Sequence, residues 1–376
     1  MVGAGKGDTG MEFGLSEDQR LLQESVGRFL GTAAALERVR LAADGDASVR
    51  AEIAAGLDEL GLAGIMVPEA HGGEGLGLLE AALMQEQLGR HAAPAGFMAQ
   101  AALAAIALQD AGSEAQQAEW LPKLASGEAR FGIAVSEAAG ARERAGVTAG
   151  PAGLTGKALF ALEPDTATHF ITADRDRGLH LVARDAAGLS VNPMPTIDRT
   201  RPVAELVFEG VAGEALTGGN DASAATRRMV AAGRVLLAAD SLGAAERMIE
   251  KAVDYAKERE QFGRTIGSFQ AVKHMCAEMA ARLEPCRSLI WYAAHAAEAE
   301  PDEFPLMAAL AKSHMAEVGT FVARTATEVH GGMGFTDLMG LHYWFKRIGL
   351  NRQLLGGPEA VRADAARLQG FDRAAG

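Results

Sequence analysis

The sequence is short of aromatics, of cysteine and of clustered positive charge, and each shortage excludes something. Aromatic residues are 5% of the 376, while alanine is abundant, which favours close-packed helices. The two cysteines, Cys276 and Cys286, stand ten positions apart in a helical pattern. That spacing suits neither a disulfide framework nor a zinc site, so reduced, buried thiols in a cytoplasmic protein are expected. No uninterrupted apolar run reaches about 18 residues, so no membrane span is expected. The net charge is −13, the pI is about 5.2, and no Lys/Arg-rich run stands out. A nucleic-acid or anionic-membrane partner is therefore not expected. Residues 1–10, MVGAGKGDTG, carry one lysine and no apolar segment. They do not read as a signal peptide and are expected to be disordered, with a natural-looking start at Met11.

What is present is a long chain, 48% hydrophobic, able to build a large core. Its texture changes twice. Residues 11–128 show helical periodicity: LSEDQRLLQESVGRFL puts Leu22, Val26, Phe29 and Leu30 on one face, and Ser16 with Gln19 reads as a capping box. Further helices are expected over roughly 48–60, 77–90 and 98–111. Residues 129–218 shorten to strand-like runs, FGIAVSE, KALFALE, THFITA, LHLVAR and VAELVFEGV, separated by Pro, Gly and Asp. They predict a small antiparallel sandwich or barrel. From 219 to 376 the helices return. Ser223–Glu258 runs without proline, a length that implies a bundle. Helices are also expected over 268–299, 305–329 and 336–352. The fold class is α+β, mainly α: helical domain, β domain, four-helix bundle.

Two stretches go beyond texture. KEREQFGRTIGSFQAVKHMCAEM, residues 257–279, places Arg259 at a helix end with Gln261 and Phe262 in a turn closed by Gly263. A cation, an amide and an aromatic plane make a reasonable clamp for a diphosphate and a heterocycle. An Arg that caps a helix and a Phe that fills core is the alternative. EVHGGMGFTDLMGLHYWFKR, residues 328–347, contains His330-Gly331-Gly332, where glycines let backbone N–H groups approach a ligand or simply close a tight turn. His330 has no second ligand at metal spacing, so no metal role is expected.

These stretches, with the opening MEFGLSEDQRLLQESVGRF and the α–β–α order, resemble the acyl-CoA dehydrogenase family of flavoproteins, over Met11 to about Gly370. The resemblance implies FAD and α,β-desaturation of an acyl-CoA thioester, with electrons passed to an electron-transfer acceptor. It implies that Arg259, Gln261, Phe262, Phe269 and Gln270, with Glu328, Gly331 and Gly332, contact the FAD of a neighbouring subunit. It also implies that Val135 and Ser136 lie against the flavin ring. The β region departs from the family pattern of Thr-Glu-Pro followed by Gly-Ser-Asp. Ser136-Glu137 remain, but Ala138 replaces the proline and Gly140-Ala141-Arg142 the later triplet. In KALFALE, Leu159 and Ala161 stand where relatives carry an aromatic and a hydroxyl, and alanine offers no hydrogen bond to a flavin.

Desaturation needs a base at the α-carbon and donors for the developing enolate, and a desaturation base is suited by a carboxylate in a dry pocket. Relatives supply a glutamate from one of two places. One lies after the H-G-G-x-G-F helix, and here falls on Leu355 or Gly356. The other precedes a characteristic arginine on the first long helix of the bundle, and here is Gly233, before Arg234. Neither is acidic. Glu359 is the substitute to consider, though an acid after Pro358 is also an ordinary helix start. Arg234 is expected to hold the CoA moiety or order the pocket. The reading that follows is a subunit without its own base, like those of bacterial heteromeric acyl-CoA dehydrogenases, paired with a catalytic sister in a heterotetramer. The alternatives are a self-sufficient flavoenzyme, homo-oligomeric or using oxygenase or oxidase chemistry, and a helical scaffold without chemistry.

Overall fold

The computed structural model describes residues 14–140, 145–218 and 221–371; the expectation of disorder at 1–10 lies outside them. Six helices open the chain: α1 (Glu17–Ala33), α2 (Leu36–Ala43), α3 (Ala47–Glu59), α4 (Leu78–Arg90), α5 (Ala104–Ala111) and α6 (Glu114–Ala125). The capping box at the start of α1 is formed, Ser16 accepting from the Gln19 backbone and Gln19 from that of Ser16. The helix expected over 98–111 begins with π-helical turns at Met98–Leu103 before α5.

Eight strands follow: β1 (Phe131–Ala134), β2 (Gly146–Gly150), β3 (Gly153–Leu162), β4 (His169–Ala173), β5 (Leu179–Ala183), β6 (Leu189–Met194), β7 (Val203–Val211) and β8 (Glu214–Ala215). They form one sheet in the order β6-β7-β3-β1-β4-β5-β8, with β2 also on β3. The expectation of a purely antiparallel unit fails at an isolated parallel bridge between Val147 and Asp174, and where β1 and β4 run parallel. The β2–β3 hairpin intervenes between them and brings the chain back in the same direction. In β3 the register against β7 slips between Ala158 and Ala161, and Phe160 takes φ 55°. This bulge turns Leu159 and Phe160 out of the ladder.

The remaining helices are α7 (Ala222–Glu258), α8 (Gln270–Ala299), α9 (Phe304–His330), α10 (Leu341–Gln353) and α11 (Pro358–Leu368), with a two-strand hairpin, β9 (Glu260–Gln261) and β10 (Arg264–Thr265), after α7. The stretch 336–340, expected to be helical, is not. A 3-10 turn covers Gly331–Phe335, and Gly340 in a left-handed conformation opens α10. Along its middle α7 is buried on all sides, in VAAGRVLLAADSLGAA. That burial includes Asp240, which accepts from Arg201 at 2.7 Å, Gln85 at 2.6 Å and Asn351 at 2.8 Å. Arg347 adds a bond to Asp198 at 2.6 Å. Burial pushes the Asp240 carboxyl up, but Arg201 and Arg347 outweigh it and hold the group below its ordinary value. This network fixes α10 against α7 and α4 beneath the site described next.

Candidate active site

The loop between α10 and α11 is Leu354-Leu355-Gly356-Gly357. Leu355 adopts φ 54° and Gly356 φ 107°, both left-handed. Such a conformation costs a leucine roughly 1 kcal/mol or more. It turns the Leu355 side chain inward, where it is 3% exposed. A Cβ placed on Gly233 would stand 2.3 Å from Leu355 Cδ1 and 3.5 Å from Leu103 Cδ1. The two positions that sequence reading treated as separate therefore converge on one spot, and leucine fills it. A Cβ at Gly356 would instead face Arg234 Nη2 at 3.3 Å and Val361 at 3.0 Å.

Cations fix this loop from two sides. Arg234 Nε donates to the Leu355 carbonyl at 3.0 Å, and Nη2 to Asp364 on α11 at 2.6 Å. Lys312 of α9 is fully buried and donates to the last carbonyls of α10, those of Asn351 and Arg352. Burial pushes its ammonium down to about 7, helped by Arg234 and Arg352. Glu359, the sequence's substitute acid, is 77% exposed and lies beside Arg352 and Arg362. It does not line the cavity under Leu355. Pro358 starts α11, and Glu359 stands on its surface in this chain.

That cavity has a volume of about 240 Å³ and is walled by Ser136, Leu159, Phe160, Gln353, Leu355 and Gly356, among others. Ser136 lines this cavity, whereas Val135 is buried in the main core. The bulge presents Leu159 and Phe160, while Ala161 packs inside the sheet. The resemblance matched Leu159 and Ala161 to flavin-facing positions, and the sequence could not show the slip. Glu137 also reaches the wall. Its Oε1 accepts the Leu159 N–H at 2.7 Å that the bulge releases from the ladder. Burial pushes the Glu137 carboxyl up, and Oε2 has no partner among the described residues. A second cavity of about 510 Å³ lies across Arg234 and is lined by Arg177, Arg227, Arg228, Arg367 and Asp364.

The other predicted residues gather elsewhere. Arg259 caps α7, and Phe262, φ 54°, sits at the tip of the hairpin, 92% exposed. Phe269 meets it edge-on at 6.2 Å, and Gln270 opens α8. Gln261 bonds the Glu260 carbonyl. Glu328 is exposed near the end of α9 and Phe335 is 82% exposed beyond it. A Cβ at Gly331 or Gly332 would meet nothing within 4 Å. His330 stacks on Tyr255 at 4.6 Å, which holds the end of α9 against the end of α7 just before the hairpin. None of these residues lines the 240 Å³ cavity. An exposed aromatic, an arginine and an open glycine turn fit a flat, phosphate-bearing ligand approached from outside this chain.

The description "Acyl-CoA dehydrogenase, N-terminal domain" matches residues 16–128, and "Acyl-CoA dehydrogenase, C-terminal domain" residues 223–368. The chain belongs to the acyl-CoA dehydrogenase family. It is 31% identical over 345 residues to the acyl-CoA dehydrogenase IpdE2 of Mycolicibacterium smegmatis, covering 92% of this chain and 96% of that one. Among solved structures, it is similar to the Tcur3481-Tcur3483 steroid ACAD G363A variant, with TM-score 0.85, 31% identity and coverage of 94% and 98%. It is also similar to the ChsE4-ChsE5 complex of Mycobacterium tuberculosis, with TM-score 0.87, 26% identity and coverage of 97% and 100%. FAD is the cofactor of this family and acyl-CoA its substrate class. Among the described residues no helix is long and apolar enough to cross a membrane, and no cluster could hold a metal ion.

Proposed function

We propose that this chain is the base-lacking subunit of a heteromeric, FAD-dependent acyl-CoA dehydrogenase. One observation carries the reading: the single spot on which both glutamate positions converge holds Leu355 over Gly233 and no carboxylate. A hydrocarbon there cannot take the α-proton, so a sister chain supplies the base. Arg259, Gln261, Phe262, Phe269 and Gln270, with Glu328, Gly331 and Gly332, hold the FAD seated mainly on that sister, the arginine against the diphosphate and Gln270 near the adenosine. FAD held there would supply the acceptor for a hydride from the β-carbon. Val135 and Ser136 give this chain's own face toward a flavin ring, Ser136 from the cavity wall and Val135 beside it in the chain, buried in the core. Arg234 serves by ordering the loop through the Leu355 carbonyl and Asp364, and its position between the two cavities leaves it beside the CoA path. The paired polypeptides named in the two similar structures support a two-chain assembly here, a cytoplasmic heterotetramer passing electrons to a separate acceptor.

The test is expression of the chain alone and together with a sister polypeptide, followed by assay of acyl-CoA desaturation with an artificial electron acceptor. Activity is expected only in the pair. Robust turnover by the chain alone would overturn the reading. A self-sufficient enzyme would need another acid at the cavity; Glu359 does not reach it, and Glu137, which does, has its Oε1 engaged by the Leu159 N–H.

A further inference from the structure

The exposed hairpin after α7 and the open glycine turn after α9 are far apart in sequence, yet both rest on the last turns of α7. Tyr255 serves the two at once. Its backbone carbonyl accepts the Arg259 N–H at 2.8 Å, where α7 ends and the hairpin starts. Its ring lies on that of His330, with centroids 4.6 Å and planes 24° apart. The Arg259 carbonyl in turn accepts the Ile266 N–H at 2.7 Å and closes the base of the hairpin. A Cβ on Gly267 would stand 2.8 Å from the Ala256 carbonyl, so the chain leaving the hairpin lies directly on α7.

The glycine turn cannot hold itself. Gly331 and Gly332 have no side chains, and a Cβ on either would meet nothing within 4 Å. What precedes them is fixed. His330 is the last residue of α9 and is 2% exposed. Its Nδ1 donates to the Ala326 carbonyl at 2.7 Å, which sets the tautomer. Its Nε2 is buried without a hydrogen-bond partner among the described residues. The ring therefore serves by its face, against Tyr255, and not by a second hydrogen bond. One turn earlier on the same side of α7, Lys251 lies over the Trp344 ring of α10 at 5.4 Å. The chain from Gly331 to Tyr343 is thus pinned at both ends to α7, ahead of the hairpin that carries Arg259.

We propose that His330 is a positioning residue: its stack on Tyr255 holds the Gly331–Gly332 turn in register with Arg259, so that one FAD meets both halves of the clamp. The inference rests on the reading of these two segments as a cofactor clamp. It adds that a buried side chain, itself exposing almost nothing to a ligand, sets their spacing.

The first test needs only the chain alone. Hydrogen exchange of the backbone amides over residues 255–269 reports whether the stack holds the hairpin. His330→Ala is expected to speed that exchange about five- to tenfold, and His330→Phe, which keeps a flat ring, to stay within about twofold of wild type. The second test is the dissociation constant of FAD from the assembled pair, read by flavin fluorescence. His330→Ala should weaken FAD about five- to tenfold, with His330→Phe again within about twofold of wild type. In the His330→Ala background the penalty of Arg259→Ala should shrink by about threefold or more, because a displaced arginine has less contact to lose. A merely weakened fold would leave the two penalties independent. Tyr255→Leu serves if His330→Ala does not fold, and the same losses are expected there. The proposal is overturned if a folded His330→Ala leaves either the exchange or the FAD affinity unchanged. It is also overturned if His330→Phe is as impaired as His330→Ala, or if the two penalties are independent. Unchanged FAD affinity in Arg259→Ala alone would instead defeat the clamp reading, and the exchange measurement reports on the stack apart from it.

Discussion

At the end of α10 the chain closes on itself, and at the end of α9 it opens outward. In the first region Leu355 is 3% exposed, its carbonyl bound by Arg234 and the helix before it capped by buried Lys312. In the second, Phe262 and Phe335 are 92% and 82% exposed, and the turn at Gly331 and Gly332 has open space around it. Large apolar side chains at that level of exposure are costly unless something covers them. The open region carries both of the family-specific sequence runs, whereas the closed region has leucine and glycine where an acid is expected. That contrast is what the proposed division of labour between two subunits requires: residues suited to cofactor contacts, and no acid at the expected proton-abstracting position.

The comparison can be broken hardest from beneath. Asp240 holds Arg201, Asn351 and Gln85 and faces Arg347, all buried. Asp240→Ala leaves two guanidinium groups without this partner, and the expected loss of stability is about 3–5 kcal/mol. Chemical denaturation would measure it. A loss below about 1 kcal/mol would show that the closed region does not depend on this network. Arg259→Ala attacks the open region instead. It is exposed and outside the core network, so the fold should survive. A charge-assisted contact to a phosphate contributes about 1.5–3 kcal/mol. The pair carrying Arg259→Ala should therefore bind FAD about ten- to hundredfold more weakly. Flavin retained through gel filtration, and its dissociation constant by fluorescence, would show this. Unchanged affinity would remove Arg259 from the clamp.

The two regions were unequally legible in sequence. The residues of the proposed clamp could be singled out because their signal is local: R-x-Q-F-G and H-G-G-x-G-F are contiguous runs, and they form the end of α7, the hairpin and the turn after α9. The absence of an acid at Leu355, Gly356 and Gly233 was also readable, because identity alone decides it. That Leu355 lies against Gly233 was not, since 122 positions separate them and only the packing of α7 under the α10–α11 loop brings them together. The order of helices and strands followed from periodicity. The β3 bulge did not, and it sets Phe160 beside Leu159 at the cavity while Ala161 packs in the core of the sheet. Lys312 gave no signal beyond one lysine in an alanine-rich run, and Asp364 looked like any surface acid of a terminal helix. Neither role can be inferred without knowing which carbonyl or guanidinium stands opposite.

Lys312 offers a smaller, pH-dependent test of the closed region. Burial lowers its ammonium from an ordinary 10.5 to about 7. Between those values the unfolded chain holds a proton that the folded chain has released. Stability from this group therefore rises with pH across the window, is complete above the unfolded value, and is lost as pH falls through about 7. Lys312→Met should flatten the rise in stability between pH 7 and 9 seen in urea unfolding of the wild type. Equal slopes in the two proteins would mean that the lysine is not held as the structure shows.

The smallest expected effect is at Glu359, and its smallness is the point. The side chain is 77% exposed, sits in the first turn of α11, and pairs loosely with Arg352 at 3.9 Å and Arg362 at 3.6 Å. Exposed pairs of this kind contribute little, and an acid in the first turn gains slightly from the helix dipole. Glu359→Gln keeps the shape and removes the charge, so stability should change by no more than about 0.5 kcal/mol. Turnover by the assembled pair should be unchanged, because the group is not in the cavity wall. A fall of more than about tenfold in kcat, at unchanged stability, would mean that α11 swings its first turn inward during catalysis. The closed region would then be a resting state, and the contrast between a lent surface and a sealed one would no longer hold.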